Sequence, residues 1–205
     1  MGLIHKITFI PRFVRQMFYK PFNRLMFKSA GAKIGRNFCV RNRFYLKLYK
    51  QATLTIGDDF KVHSGEGINP ITRNVRGCIF VNGGAKLSIG NNVGMSSPTI
   101  WCDEKIVIGN DVRIGALVTI LDTDCHSLNY LDRMNGDKTT KTKPVVIDEG
   151  VLIGAQSIVL KGSHIGAHSV IGAGSVVCGD IPANCIAAGN PCKVIKKSSD
   201  CNKDN

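Results

Sequence analysis

The sequence predicts an all-β solenoid of short strands stacked as triangular coils, and three observations carry that reading. Aliphatic residues recur every six positions, with Ile147, Ile153, Val159, Ile165, Ile171 and Val177 in unbroken phase. A period of six matches neither the 3.6-residue helix nor a plain two-residue strand alternation. Glycine is frequent, at 22 of 205 residues, and tryptophan is single, which suits a turn-rich β architecture better than a helical bundle.

The chain divides into a basic amphipathic segment (1–30), a solenoid (31–197) interrupted by an excursion (121–146), and a polar tail (198–205). The net charge of +12 belongs to the front. Residues 1–50 carry 12 Lys and Arg and no acid, whereas the remainder carries 15 residues of each sign. A uniformly basic nucleic-acid binder is therefore disfavoured, and no recognition motif accompanies the front. Between residues 3 and 28, Leu, Ile, Phe and Met alternate with six Lys and Arg. Spacings such as Phe13 with Met17 and Val14 with Phe18 put apolar side chains on one face of short helices, which Pro11 and Pro21 are expected to break. Two roles stay open for this segment: an interfacial anchor on an anionic membrane surface, or a helical cap on the first coil.

Several classes are excluded by composition. With 43% hydrophobic and 20% charged residues the chain is globular and not disordered. No apolar run reaches the roughly 18 residues of a membrane span. Eight scattered cysteines without a CxxC pair, and no secretory signal, fit reduced thiols in the cytoplasm. Lys6 stands where a myristoylation motif needs Ser or Thr.

In the solenoid, Gly154, Gly166 and Gly172 follow three of the aliphatics, and two residues before each aliphatic stands Val145, Val151, Ser157, Ser163, Ser169 or Ser175. Ile108-Gly109, Ile114-Gly115 and Ile120 continue the phase upstream; Ile89-Gly90 follows with one residue inserted, and weaker copies stand at Ile34-Gly35 and Ile56-Gly57. β-Branched residues suit the strands, and the glycines are expected at bends of unusual φ. One aliphatic and one small residue per hexad should point inward, each aliphatic contributing about 1.5–3 kcal/mol. The spacing sets no hand. His164 and His168 should point outward.

The period fails between Ile120 and Ile147, where a polar segment intervenes that is not a multiple of six. A long excursion from a rigid solenoid is a candidate functional loop. It contains Asp122, Asp124, Cys125, His126 and Asp132. A histidine among carboxylates is a candidate general base, with Asp124 or Asp122 as candidates to orient it. Cys125 is disfavoured as a nucleophile, since no second base or activating cation is evident.

The hexads, the TDCHSL segment followed by Asp132-Arg133, and the ending AAGNPCKVIKK together resemble the hexapeptide-repeat acyltransferases over roughly residues 30–197. The likeness is to the galactoside, maltose and nodulation-type O-acetyltransferases and to the exopolysaccharide and colanic acid-type acetyltransferases. It implies a left-handed parallel β-helix, a hand exceptional under the usual crossover rule, assembled as a homotrimer with acetyl-CoA between subunits. It implies that His126 is the catalytic base, taking the proton of an acceptor hydroxyl as it attacks the thioester, with a backbone amide of the wall holding the oxyanion. Ser96, in the stretch Gly94-Met95-Ser96-Ser97, stands where some relatives carry an asparagine beside the acyl group. Ala155 and Ala173 match backbone contacts to pantetheine. Cys178 and Gly179 stand where relatives often carry Thr-Lys, and Lys193, Lys196 and Lys197 match positions facing the coenzyme phosphates, as charge without arginine's fork. Asn190-Pro191 is expected to close a turn. No metal is expected.

The function implied is an acetyl-CoA-dependent O-acetyltransferase acting on a sugar hydroxyl in surface polysaccharide biosynthesis. It is expected in the cytoplasm, with peripheral contact to the inner membrane surface through residues 1–30. The alternatives are transfer to a small free acceptor, serine or a free sugar, and a non-catalytic β-helix scaffold.

Overall fold

The computed structural model describes residues 3–65 and 68–199, with side chains from residue 14 onward. The chain winds as a left-handed parallel β-helix whose three walls are sheets of seven, eight and six strands, visited in rotation. Strands Val145–Ile147, Leu152–Ile153 and Ile158–Val159 each belong to a different wall and make one coil. The next coil stacks three hexads on: Ile147 pairs with Ile165, Ile153 with Ile171 and Val159 with Val177. The weak copies are true rungs, since Ile34 pairs with Ile56 and Ile56 with Ile89.

The inward positions are those the hexad specifies. Ile147, Ile153, Val159, Ile165, Ile171 and Val177 are fully buried, as are the small residues two before them. Buried serine needs an acceptor for its hydroxyl. Ser157 Oγ donates to the Gly154 carbonyl at 2.9 Å, Ser163 Oγ to Val177 at 3.1 Å and Ser169 Oγ to Pro182 at 2.7 Å. Serine thus fills a narrow interior position while its hydroxyl finds a backbone acceptor. His164 and His168 face outward, beside Asp148 and Glu149.

The glycines serve a different purpose from the one expected. The positive φ of each corner falls three residues after the aliphatic, as at Gly150 (66°), Gln156 (61°), Gly162 (75°) and His168 (58°). Gly154, directly after Ile153, is needed for space: a Cβ there would lie 2.4 Å from the Ala173 nitrogen of the next coil.

The first helix, α1, spans Leu3–Ser29 without interruption. The breaks expected at Pro11 and Pro21 do not occur. Pro21 lies on the exposed side, where a carbonyl deprived of its amide partner meets water. The last turns of α1 close the end of the prism. Phe27 is fully buried with its ring 4.9 Å from that of Phe38, and buried Asn23 Nδ2 donates to the carbonyls of Val40 (3.0 Å) and Asn42 (2.7 Å). Among the described residues, no helix is long and apolar enough to cross a membrane, and the seven cysteines are free thiols. Cys201 and residues 200–205 of the tail lie outside them.

Candidate active site

The excursion leaves the six-stranded wall after strand Thr119–Leu121 and rejoins the seven-stranded wall at Val145–Ile147. The coils keep register across it: Ile108 pairs with Ile147 and Ile120 with Val159. Its root is clamped by Asp122. This fully buried carboxylate accepts the backbone amides of Asp103 (2.7 Å), Glu104 (2.9 Å) and Lys105 (2.7 Å), which turn the corner of the preceding coil. A Thr123–Thr142 bridge and the Asp124 amide donating to Lys141 close the neck.

His126 stands beyond the neck with its side chain 75% exposed, and its Nδ1 contacts the Asp137 carboxylate. Neither candidate orienting residue reaches it. Asp122 is occupied with amides, and Asp124 pairs with Lys161 Nζ at 2.9 Å, tying the loop root to the next coil. The partner is eleven positions along the chain, brought back by the turn at Gly136 and Asp137, both of positive φ. The Asn135-Gly136-Asp137 run carries the turn signature that marks such a return in the sequence. The Asp137 carboxyl is held below the usual carboxylate range, first by the Ser127 amide and then by His126. An ionised carboxylate can only accept, so Nδ1 donates to it, and Nε2 is the ring nitrogen left facing away from Asp137.

The rest of the loop is braced by similar polar contacts. Helix α2, Tyr130–Met134, is capped by the Asn129 side chain, Arg133 Nη1 donates to the Ser127 carbonyl at 2.7 Å, and Asp132 accepts from Thr139. Leu128, Tyr130, Leu131 and Met134 all stand exposed at the tip. Cys125 is exposed at φ 60°, and desolvation together with Asp103, Asp124 and Asp122 pushes its thiol up, away from a thiolate nucleophile.

The other expected site residues are spread over the prism. Ser96 lies on the eight-stranded wall, where it pairs with His63 and accepts from Asn69 Nδ2 at 3.2 Å. It lines a hollow of about 310 Å³ with Lys61, His63, Gly94 and Arg113, which no residue of the loop enters. Burial and Arg41 push His63 down, toward its neutral form. Ala155 and Ala173 stack at the corner between the eight- and six-stranded walls. Their amides meet no protein acceptor among the described residues. Cys178 and Gly179 fall at the other edge of the six-stranded wall, the corner from which the loop departs, so the structure does not bring them beside the two alanines. Lys193 and Lys196 lie on the terminal strand Lys193–Lys197, antiparallel to Cys185–Ala188, after a cis Asn190–Pro191 peptide. No group of three or more metal-binding side chains occurs among the described residues.

The model of the bacterial transferase hexapeptide (six repeats) matches residues 144–179. A Saccharomyces cerevisiae protein carrying an acetyltransferase name is 35% identical over 163 residues, 77% of this chain and 82% of its own. The chain belongs to the hexapeptide-repeat acetyltransferase family. An Escherichia coli protein named for lipopolysaccharide biosynthesis O-acetyl transfer matches this acyltransferase at 32% identity over 76% of this chain and 77% of its own. The galactoside O-acetyltransferase of the same organism matches at 37% identity over 61% of each chain, so the shared part is about three fifths of that relative. A galactoside acetyltransferase solved with coenzyme A superposes with a TM-score of 0.57 at 27% identity, covering 88% of this acyltransferase and 72% of the solved chain.

Proposed function

We propose that this acyltransferase moves acetyl from acetyl-CoA to a sugar hydroxyl of a surface-polysaccharide precursor, with His126 as general base. The observation that carries the proposal is the Asp137–His126 contact, which leaves Nε2 of an exposed imidazole free to accept a proton. The acceptor hydroxyl adds to the thioester carbonyl as its proton passes to Nε2. A backbone amide of the wall stabilises the oxyanion. The tetrahedral intermediate collapses with loss of the C–S bond, and the imidazolium returns the proton to the coenzyme thiolate. Asp137 is the positioning residue: it fixes the tautomer and stabilises the imidazolium. Asp124 acts at the loop root and not on the ring.

The coenzyme reading is supported by the Ala155 and Ala173 amides, which stand ready for the amides of a pantetheine arm. Gly154 and Gly172 keep that corner smooth. Lys193 and Lys196 supply charge for phosphates at its end, and Cys178 and Gly179 border the loop side. A carbohydrate acceptor is favoured by the galactoside acetyltransferase relatives, and a surface glycan by the lipopolysaccharide-related one. The chain is read as a cytoplasmic enzyme apposed to the inner membrane.

A homotrimer is part of the proposal. Ser96 and His126 occupy separate parts of one chain, and a threefold ring brings one subunit's loop to a neighbour's wall. The exposed apolar tip of the loop, Leu128 to Met134, gains cover in the same step.

The test is release of coenzyme A thiol from acetyl-CoA with a panel of glycan precursors, free sugars and serine. His126→Ala is expected to lower transfer about 10²–10⁴-fold. Asp137→Asn should lower kcat about tenfold or more, with KM for the coenzyme unchanged. Full activity in His126→Ala rejects the base, and thiol release with serine alone rejects the glycan. Co-expressed Ser96→Ala and His126→Ala subunits should regain part of the activity if sites are shared between subunits; no recovery would reject that arrangement.

A further inference from the structure

Helix α1 has two apolar faces, and the fold uses only one. Asn23 and Phe27 point into the prism. On the opposite side Val14, Met17, Phe18, Phe22 and Leu25 are 46–68% exposed. Their spacing follows the i, i+3, i+4, i+7 rule, so they form one stripe along the helix. A stripe of this size on a surface helix calls for a partner.

What borders the stripe identifies the partner. Lys20, Arg24 and Lys28, four residues apart, run along one edge. Along the other edge lies a polar hollow of about 370 Å³ lined by Arg15 of α1 together with Arg43, Arg76, Asn42, Gly65 and Asn74. A second hollow of about 320 Å³ adjoins it, sharing Arg43 and Arg76 and walled by Phe18, Tyr19, Phe22 and Phe44. Three arginines from three separate segments therefore converge where the apolar stripe begins. Arg43 Nε donates to the Tyr19 hydroxyl at 2.9 Å, which aims its guanidinium, and Arg76 has no hydrogen-bond or ion-pair partner among the described residues. No carboxylate lines either hollow among the described residues; Glu66, next to Gly65 in sequence, lies outside them.

Guanidinium forks match phosphate oxygens in pairs, and a stripe flanked by cations matches the boundary between headgroups and acyl chains. We infer that α1 and the arginine hollows form a docking surface for an anionic phospholipid bilayer, the stripe entering the interface while Arg43 and Arg76 grip lipid phosphate. A folded partner protein would need complementary acids, whereas a bilayer supplies negative charge and apolar depth together. The inference deepens the reading of a membrane-apposed enzyme and is independent of the chemistry at His126.

The full chain is floated with vesicles of phosphatidylglycerol or of phosphatidylcholine, and acetyl transfer to a soluble acceptor is measured in parallel. Wild type is expected to float with phosphatidylglycerol and much less with phosphatidylcholine, and millimolar inorganic phosphate should not release it. Arg76→Gln should weaken partition about fivefold, and Met17→Gln with Leu25→Gln at least about tenfold, with soluble transfer unchanged in both. Equal flotation with both lipids, no flotation, or release by inorganic phosphate overturns the inference. A change of oligomeric mass in the Met17/Leu25 variant would assign the stripe to a second copy. Binding to single-stranded RNA lost in the same variants would assign it to nucleic acid. Either result overturns the bilayer. Loss of soluble transfer in wild type alone would count against the acetyltransferase reading and leave this one standing.

Discussion

The hexad wall and the excursion at 121–146 are held together by opposite means. In the wall each rung buries an aliphatic side chain, and the next coil supplies the backbone partners, so stability is spread evenly along the prism. In the loop few apolar side chains are buried. Four aspartates do the holding: Asp122 on three amides, Asp124 on Lys161, Asp132 on Thr139 and Asp137 on Ser127 and His126. Burial makes a wall that tolerates no displacement, whereas beyond its buried Asp122 root the loop is held by a few polar contacts, with those of His126 and Asp132 exposed. The contrast teaches that the wall supplies a fixed surface, and on the proposed mechanism the loop supplies the base.

The comparison is broken most severely by separating chemistry from stability. His126→Ala, expected on the proposed mechanism to lower transfer by up to about 10⁴-fold, should leave the thermal midpoint of unfolding where it is, because the ring is mostly exposed. The reverse is expected of Ile165→Ala. It should cost about 2–5 kcal/mol in denaturant unfolding while each folded molecule keeps its turnover. If Ile165→Ala lowered turnover as steeply as stability, the wall would not be the passive surface described.

Asp122→Asn tests the hinge between the two regions. One oxygen is exchanged for an amide that cannot accept, leaving a buried backbone N–H bare at a cost of about 1–3 kcal/mol. Limited proteolysis should then cut within 123–142 while the coils stay protected.

The smallest effect concerns pH. Asp137's carboxyl is depressed in the folded chain. Its tether is therefore complete above the usual carboxylate range and is lost as pH falls through its own lower value. Amide exchange at Ser127 should quicken only there, and Asp137→Asn should remove the step.

The wall was legible in the sequence and the loop was not, for a physical reason. A hexad repeats, so Ile153 and Ser157 can be assigned an inward direction from phase alone. The loop repeats nothing. His126 is visible as a histidine at the break in period, but its partner is chosen by how the chain returns: Asp122 and Asp124, close to it in sequence, do not reach the ring, and Asp137 does. The prolines mislead in a similar way: α1 runs unbroken through Pro11 and Pro21, the latter on its exposed side. The glycines were counted correctly and explained wrongly: Gly154 makes room for Ala173, while left-handed φ falls at Gln156. Ser96 enters the site only by likeness, and within one chain no residue of the loop enters the hollow it lines.

The unbroken pairing of Ile120 with Val159 has a consequence for how such molecules diversify. A solenoid that resumes its winding after a detour treats the detour as cargo. Longer, shorter or differently charged versions can be spliced at the same corner without retuning the rungs above and below. On the proposed mechanism, new acceptor preferences would arise by exchanging one segment, while the coils proposed to hold the coenzyme are inherited intact.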